Sequence, residues 1–194
     1  MNDLDLLIST VNLDLHTVTP GDYQLLELNR ADPELWIDRG FSNPFGHLVQ
    51  DSGPLPYRIP RIKADPTLAK YLLRMAVFRP TQEIIGSAGF HAGPDESGMI
   101  EIGLGIVSQY QGRGFAQELL HGMWGWVVND PLVTKLRYTV SADNIASQAI
   151  IRKLAFTYVG QQIDDEDGPE DIFEMSALQY RLKFGNDLCI DAAN

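Results

Sequence analysis

The sequence predicts an α+β fold: one domain built on a mixed, mainly antiparallel sheet with helices against it. Three observations predict it. Tyr71–Phe78, Glu83–His91 and Met99–Val107 are successive apolar runs separated by "RPTQ" and "AGPDESG", turn-rich punctuation that makes an antiparallel meander. The pattern then changes to a helix over Gly114–Val128, a strand over Val133–Val140 and a helix over Ile145–Ala155. Finally, 194 residues with 44% hydrophobic content suit a single core of useful size.

The remaining elements follow in chain order. Val11–Thr17 alternates apolar and polar residues, as an edge strand does. "TPGDYQLLELN" offers Thr19 as N-cap and Pro20 at the first helical position, and "ADPELWIDRG" repeats that arrangement with Asp32, Pro33 and a terminating Gly40. Phe41–Asp65 is rich in Pro, Gly, Ser and aromatic residues and reads as a long loop, a feature often functional in compact domains. Asn144 caps the helix that begins at Ile145. Tyr158–Ile163 and Ile172–Ala177 read as strands enclosing the acidic loop Asp164–Asp171. The domain is expected over 1–180, with 181–194 as a tail.

Charge and composition remove several function classes. A formal charge of −11 argues against nonspecific nucleic-acid binding, which needs Lys and Arg to neutralise phosphates. It favours a cationic partner through long-range steering, although acidity also simply maintains solubility. The N-terminus is acidic where a signal peptide would be basic, and no apolar run approaches the ~18 residues of a membrane helix. The one cysteine, Cys189, allows neither a disulfide framework nor a cysteine metal site, and the four histidines form no metal constellation. A cytoplasmic protein without metal, nucleic acid or membrane partner is expected.

"YQGRGFA" at Tyr110–Ala116 is the richest local signal. It lacks the Gly-Lys-Ser/Thr of a nucleotide-triphosphate loop. Gly112, Gly114 and Gln117 give G-x-G-x-x-Q, which fails the dinucleotide fingerprint at its last position. A strand ending near Val107 and a helix opening on "QGRGFA" instead suit a diphosphate held at a helix N-terminus. The plainer reading is a tight strand-to-helix turn.

"IEIGLGIVSQYQGRGFAQELL" resembles the acetyl-CoA-binding motif of the GNAT N-acetyltransferases, Q/R-x-x-G-x-G/A, with Gln111, Gly114 and Ala116 at its fixed positions. "VSADNIASQAIIRKLAF" is similar to the strand–Asn–x–x–Ser–helix segment of the same family, in its RimJ/RimL-like branch. The likeness covers about Gly86 to Ala177 and departs from the pattern at Ala155, where glycine is usual.

The resemblance implies a sheet that splays at the fourth predicted strand. Leu104, Gly105 and Ile106 would then hold the pantetheine arm of acetyl-CoA, with Gly112, Arg113, Gly114, Phe115, Ala116 and Gln117 around its pyrophosphate. Gly103 and Gly105 within one strand independently suggest a bulge or a close approach. The implied reaction is acetyl transfer to a primary amine, a protein N-terminus or a small molecule, by direct attack in a ternary complex. Glu101, in the otherwise apolar run "MIEIGLGI" and on the side of Gly103 and Gly105, is the candidate base. Many relatives serve the leaving thiolate with a helical tyrosine, but Ile151 stands there; Ser147 is the expected substitute, stabilising the thiolate with its hydroxyl rather than delivering a proton, and Asn144 would also bond the pantetheine. His91, Asp164 and Glu166 are weaker candidates for the acceptor site. The missing tyrosine leaves an inactive CoA-binding module as the alternative. Members of the family often dimerise, and no sequence feature decides whether this chain does.

Overall fold

A computed structural model describes residues 7–29, 36–49, 53–164 and 168–185. Its centre is an eight-stranded sheet in the order β1-β2-β3-β4-β5-β6-β8-β7. The strands are β1 (Ile8–Ser9), β2 (Leu13–Thr17), β3 (Arg74–Phe78), β4 (Glu83–Phe90), β5 (Met99–Ile106), β6 (Lys135–Ser141), β7 (Thr157–Asp164) and β8 (Gly168–Ser176). The helices are α1 (Pro20–Asn29), α2 (Leu55–Ala64), α3 (Phe115–Val127), α4 (Ile145–Leu154) and α5 (Ala177–Phe184). Every neighbouring pair is antiparallel except β5 and β6, as expected where a strand–helix–strand connection joins the meander.

Local chemistry fixes the helix ends. The Thr19 hydroxyl accepts from the Asp22 amide at 3.2 Å while the Asp22 carboxylate accepts from the Thr19 amide at 2.8 Å, so α1 starts as expected. Asn144 Oδ1 accepts from the Ser147 amide at 3.0 Å and caps α4. Ala155 ends α4 in the left-handed region, at φ 58°, the conformation that makes glycine usual there. At the start of α3 the Glu118 carboxylate accepts from the Thr10 hydroxyl, the Asn12 amide and the Asn12 side chain, which ties the β1–β2 turn to the helix.

Both faces of the sheet are covered. On one, Leu119, Leu120, Met123 and Trp124 of α3 and Ile151 of α4 pack with Ile100, Ile102 and Leu136. Trp124 stacks on Phe156 at 4.7 Å, so the aromatic that follows Ala155 does sit in the core. On the other face Leu26, Leu55 and Ile62 pack with Leu73, Val77 and Ile84. Each fully buried side chain of this size stabilises by roughly 1.5–3 kcal/mol.

Two helices went unannounced in the sequence. α2 lies inside the expected loop Phe41–Asp65, where Pro56 and Pro60 hid it. Its buried face is Leu55, Arg58 and Ile62, and Pro60 costs it one intrahelical bond. α5 replaces the end of the last expected strand and the start of the expected tail. Ser176 and Gln179 close a capping box there. Of the second expected helix, the described part is a 3-10 turn, Ile37–Arg39, ended by Gly40 at φ 82°. Its proposed cap, Asp32 and Pro33, lies outside the described residues, as do Cys189 and the middle of the acidic loop. Among the described residues no helix is long and apolar enough to cross a membrane.

The sheet opens at β5, which is the fourth expected strand once the two-residue β1 is set aside. Met99, Ile100 and Glu101 pair with Lys135, Leu136 and Arg137 of β6, and the pairing stops there. From Ile102 to Ile106, β5 pairs only with β4. At the closed end, the amides of Thr134 and Lys135 both donate to the Gly98 carbonyl, at 2.9 and 3.1 Å. A Cβ on Gly98, whose φ is 76°, would lie 2.6 Å from Thr134 Oγ1 and 2.7 Å from the Leu132 carbonyl, so only glycine fits that apex.

Candidate active site

The opening between β5 and β6 is where the expected residues converge. The β4–β5 ladder shows no register shift at Gly103 or Gly105, so the two glycines mark no bulge. They leave room for side chains instead: a Cβ on Gly103 would be 3.1 Å from His91 Nε2, and one on Gly105 would be 3.9 Å from His47 Cε1. The Glu101 carbonyl accepts from the His91 amide on the β4 side. By alternation, the Leu104 N–H and C=O point the other way, into the opening. The Ile106 carbonyl, on that same edge, accepts from Gln111 Nε2 at 2.8 Å.

Three cavities meet here. The first, about 460 Å³, is lined by every residue expected to hold the cofactor except Arg113. Leu104, Gly105 and Ile106 form one wall, Gln111, Gly112, Gly114, Phe115, Ala116 and Gln117 the end, and Asn144 and Ser147 the other wall. Gly112 (φ 73°) and Gly114 (φ 89°) are left-handed, and a Cβ on either would meet nothing within 4 Å. The first-turn amides of Phe115, Ala116 and Gln117 have no intrahelical acceptor, because the helical ladder begins with Glu118 donating to Gly114. Open space, free amides and the positive end of α3 suit a diphosphate. Arg113 does not line this cavity. Its guanidinium lies 4.8 Å from the Tyr110 ring centre and 5.3 Å from that of Phe115, so its charge is held over aromatic faces at the outer rim. Lys153, on the α4 wall, supplies a cation the sequence reading passed over.

The second cavity, about 520 Å³, runs through the opening and touches both faces of the sheet. Glu101, His91, Asp164 and Glu170 line it together with Tyr138, Asn144 and Ser147. Glu101 Oε1 accepts from the Thr139 hydroxyl at 2.5 Å and lies 3.6 Å from His91 Nδ1. Desolvation by the surrounding walls, opposed by Glu101 and reinforced by Arg58 and Arg61, holds His91 below the ordinary imidazole value. Its ring is therefore neutral at pH 7, although 46% of the side chain is open to the cavity. Asp164 reaches this cavity, while Glu166 lies outside the described residues.

Across the sheet from Glu101, the Tyr138 hydroxyl donates to Ser147 Oγ at 3.1 Å. Ile151, at the position where many relatives carry a tyrosine, is fully buried in the core. A phenol is present after all, on β6 rather than on α4. Alternation along β6 could have placed Tyr138 on the inner face, but it could not have said what the ring meets. Burial raises the phenol's pKa, and the bond to Ser147 offsets part of that rise.

The third cavity, about 280 Å³, lies on the Glu101 side of β5, between α2 and the β4–β5 pair. Arg58 and His47 line it with His91, Gly103, Leu104 and Gly105. Leu104 is common to all three cavities.

Residues 12–157 match the family model described as an acetyltransferase (GNAT) domain. The chain belongs to the GNAT acetyltransferase family. Among curated GNAT relatives, the uncharacterised N-acetyltransferase YjdG of Bacillus subtilis is 32% identical over 80 residues, 41% of this chain and 48% of YjdG. The uncharacterised N-acetyltransferase p20 of Bacillus licheniformis is 27% identical over 90 residues, 46% of this chain and 51% of p20. The match thus spans about half the length of these relatives. GNAT structures share the fold more widely. RimL, the ribosomal L7/L12 alpha-N-protein acetyltransferase solved with coenzyme A, superposes with a TM-score of 0.60 at 17% identity, over 88% of this chain and 97% of RimL. Mycobacterium smegmatis RimJ, solved with CoA-disulfide, gives 0.60 at 13% identity over 92% and 94%. The spermidine/spermine N-acetyltransferase SpeG of Vibrio cholerae, in mutant forms, gives 0.59 at 15% identity over 89% and 98%. At these identities the likeness is one of fold.

Proposed function

We propose that this GNAT domain is an acetyl-CoA-dependent N-acetyltransferase that passes the acetyl group directly to a primary amine while both substrates are bound. The observation that carries the reading is the junction at Leu104, where a diphosphate-suited cavity on one face of the sheet meets an acid-lined cavity open to the other. A donor threading the first and an acceptor entering the second would meet without a covalent enzyme intermediate.

Each step has a residue suited to it. The α3 amides and Lys153 would hold the phosphates, and the Leu104 backbone would bond the pantetheine arm and polarise the thioester carbonyl. Glu101, held by Thr139, would take a proton from the ammonium so that the nitrogen lone pair can attack the carbonyl carbon. His91, neutral at pH 7, adds no competing cation beside that amine. As the C–S bond breaks, Ser147 would donate its hydroxyl proton toward the thiolate and be resupplied by Tyr138, while the second proton lost from the nitrogen passes through cavity water to restore the phenol and Glu101 releases the first to solvent. The Tyr138–Ser147 pair weakens the case for an inactive CoA-binding module, since that case rested on a missing tyrosine. Glu101, Asp164 and Glu170 around the second cavity favour a positively charged amine, as the net charge does.

Calorimetric titration with acetyl-CoA and a thiol-release assay over an amine panel test the reading. Binding together with amine-dependent thiol release is the expected result. Binding without turnover on any amine would favour the module, and failure to bind any CoA ester would overturn both readings.

A further inference from the structure

Arg58 is an unusual residue to find in the core of this domain. It occupies the middle of the buried face of α2, and only 6% of it is exposed. Guanidinium groups stay protonated in proteins, so its charge is buried with it. Among the described residues it forms no ion pair. Nη1 donates to the His91 carbonyl at 3.2 Å, and Nε has no partner at all.

The ionisable neighbours of Arg58 are Tyr23, Arg61 and Glu101. Burial keeps the Tyr23 phenol neutral, its hydroxyl also lacks a partner, and Arg61 has the same sign as Arg58. Glu101 is already engaged by Thr139 and sits beside His91. A buried cation with one neutral hydrogen bond and no counter-ion is costly to keep, unless an anion arrives to complete it.

The place for that anion is the 280 Å³ cavity that Arg58 lines. Its other walls include Gly103 and Leu104, so it opens directly onto the junction of the three cavities. His91 links its two ends: its backbone carbonyl meets Arg58 and its ring meets Glu101. A short molecule there would have one end at a guanidinium and the other at a carboxylate.

We propose that this cavity binds the carboxylate of the acceptor at Arg58, so that the preferred acceptor is a small amine that also carries a carboxylate, such as a free amino acid. The inference rests on the acetyltransferase reading above and narrows it. Glu101 receives the ammonium pole and Arg58 the carboxylate pole, which sets the nitrogen beside Leu104. A polyamine satisfies Glu101 but leaves Arg58 uncompensated.

The test is thiol release from acetyl-CoA by wild-type protein with free amino acids, each paired with its carboxamide and its decarboxylated amine. The expected result is at least about a tenfold higher kcat/KM for the carboxylate member, the scale of one charge-assisted hydrogen bond pair. Arg58→Gln should bring the ratio close to one with acetyl-CoA affinity unchanged, and Arg58→Lys should retain part of it. If Arg58→Gln fails to fold, the wild-type ratio and Arg58→Lys still decide. Turnover that is equal within each pair, or better without the carboxylate, overturns the inference and leaves the acetyltransferase reading intact. No thiol release with any amine, together with no acetyl-CoA binding, overturns both.

Discussion

The Tyr138 hydroxyl donates to Ser147 Oγ across the gap between β6 and the first turn of α4, at 3.1 Å. Neither residue alone resembles an acid of useful strength, but in the proposed reaction the pair would give the leaving sulfur a hydroxyl with a second donor behind it. Ser147→Ala should lower kcat about 100-fold and Tyr138→Phe about tenfold, with the KM for acetyl-CoA little changed. The double variant should be no slower than Ser147→Ala, because the two act as one path. Steady-state kinetics on the four proteins checks this, and multiplicative losses would count against the relay.

Glu101 stands on the opposite face, fixed by Thr139. Glu101→Gln keeps the shape and the oxygen that accepts from Thr139 but removes the proposed base. Turnover should fall about 100-fold or more while the acetyl-CoA dissociation constant stays within about twofold. Unchanged turnover would remove Glu101 as the base.

Ala155 holds a left-handed conformation at φ 58°, ψ 40°, which costs a residue with a Cβ about 1–2 kcal/mol relative to glycine. Ala155→Gly should therefore stabilise the fold by about 1 kcal/mol, offset in part by the freer unfolded chain, and raise Tm by about 2–4 °C. Catalysis should not change. Calorimetric melting of the two proteins decides it.

Glu174 joins β8 to β6 at the closed end of the opening. Its carboxylate accepts from Arg137 Nε and Nη2 at 3.0 and 2.6 Å and lies 3.2 Å from Lys135 Nζ. Burial pushes its pKa up, but the bonds from Arg137 and Lys135 outweigh that and hold it below 4.5. A carboxyl depressed on folding adds stability that is complete above its unfolded pKa and is lost as the pH falls through the folded value. Glu174→Gln should cost about 1–3 kcal/mol at pH 7, and that gap should close as the pH falls below the ordinary glutamate value and through the depressed folded one. Denaturant unfolding across this range is the measurement.

Much of this site was legible because its parts carry periodic or punctuated signals. The strand–glycine loop–helix of β5 and α3, the Asn144 cap and Ser147 all came from spacing and motif, and the fold places them around one cavity. What stayed hidden shares a different property. Arg58 sits in "GPLPYRIPRI", where prolines mask a helical stripe and a lone arginine gives no reason to expect burial. Tyr138 is one inward residue of an alternating strand, and only the approach of α4 gives its hydroxyl a partner. Arg113 shows the reverse case: its sequence position suggested a phosphate ligand, but two neighbouring rings hold it at the rim. Contacts between elements distant in sequence have no local signature.

The three residue pairs that close the β5–β6 seam also govern everything beyond them. About 17 Å of β5 extends past the last pair, roughly twice the length of the paired part. By geometry, a slight difference in the β5–β6 angle at Gly98 and Glu101 would be magnified at the far end near Ile106. The width of the first cavity would thus depend on residues that do not line it. A residue too large for the apex would reshape that cavity by changing an angle.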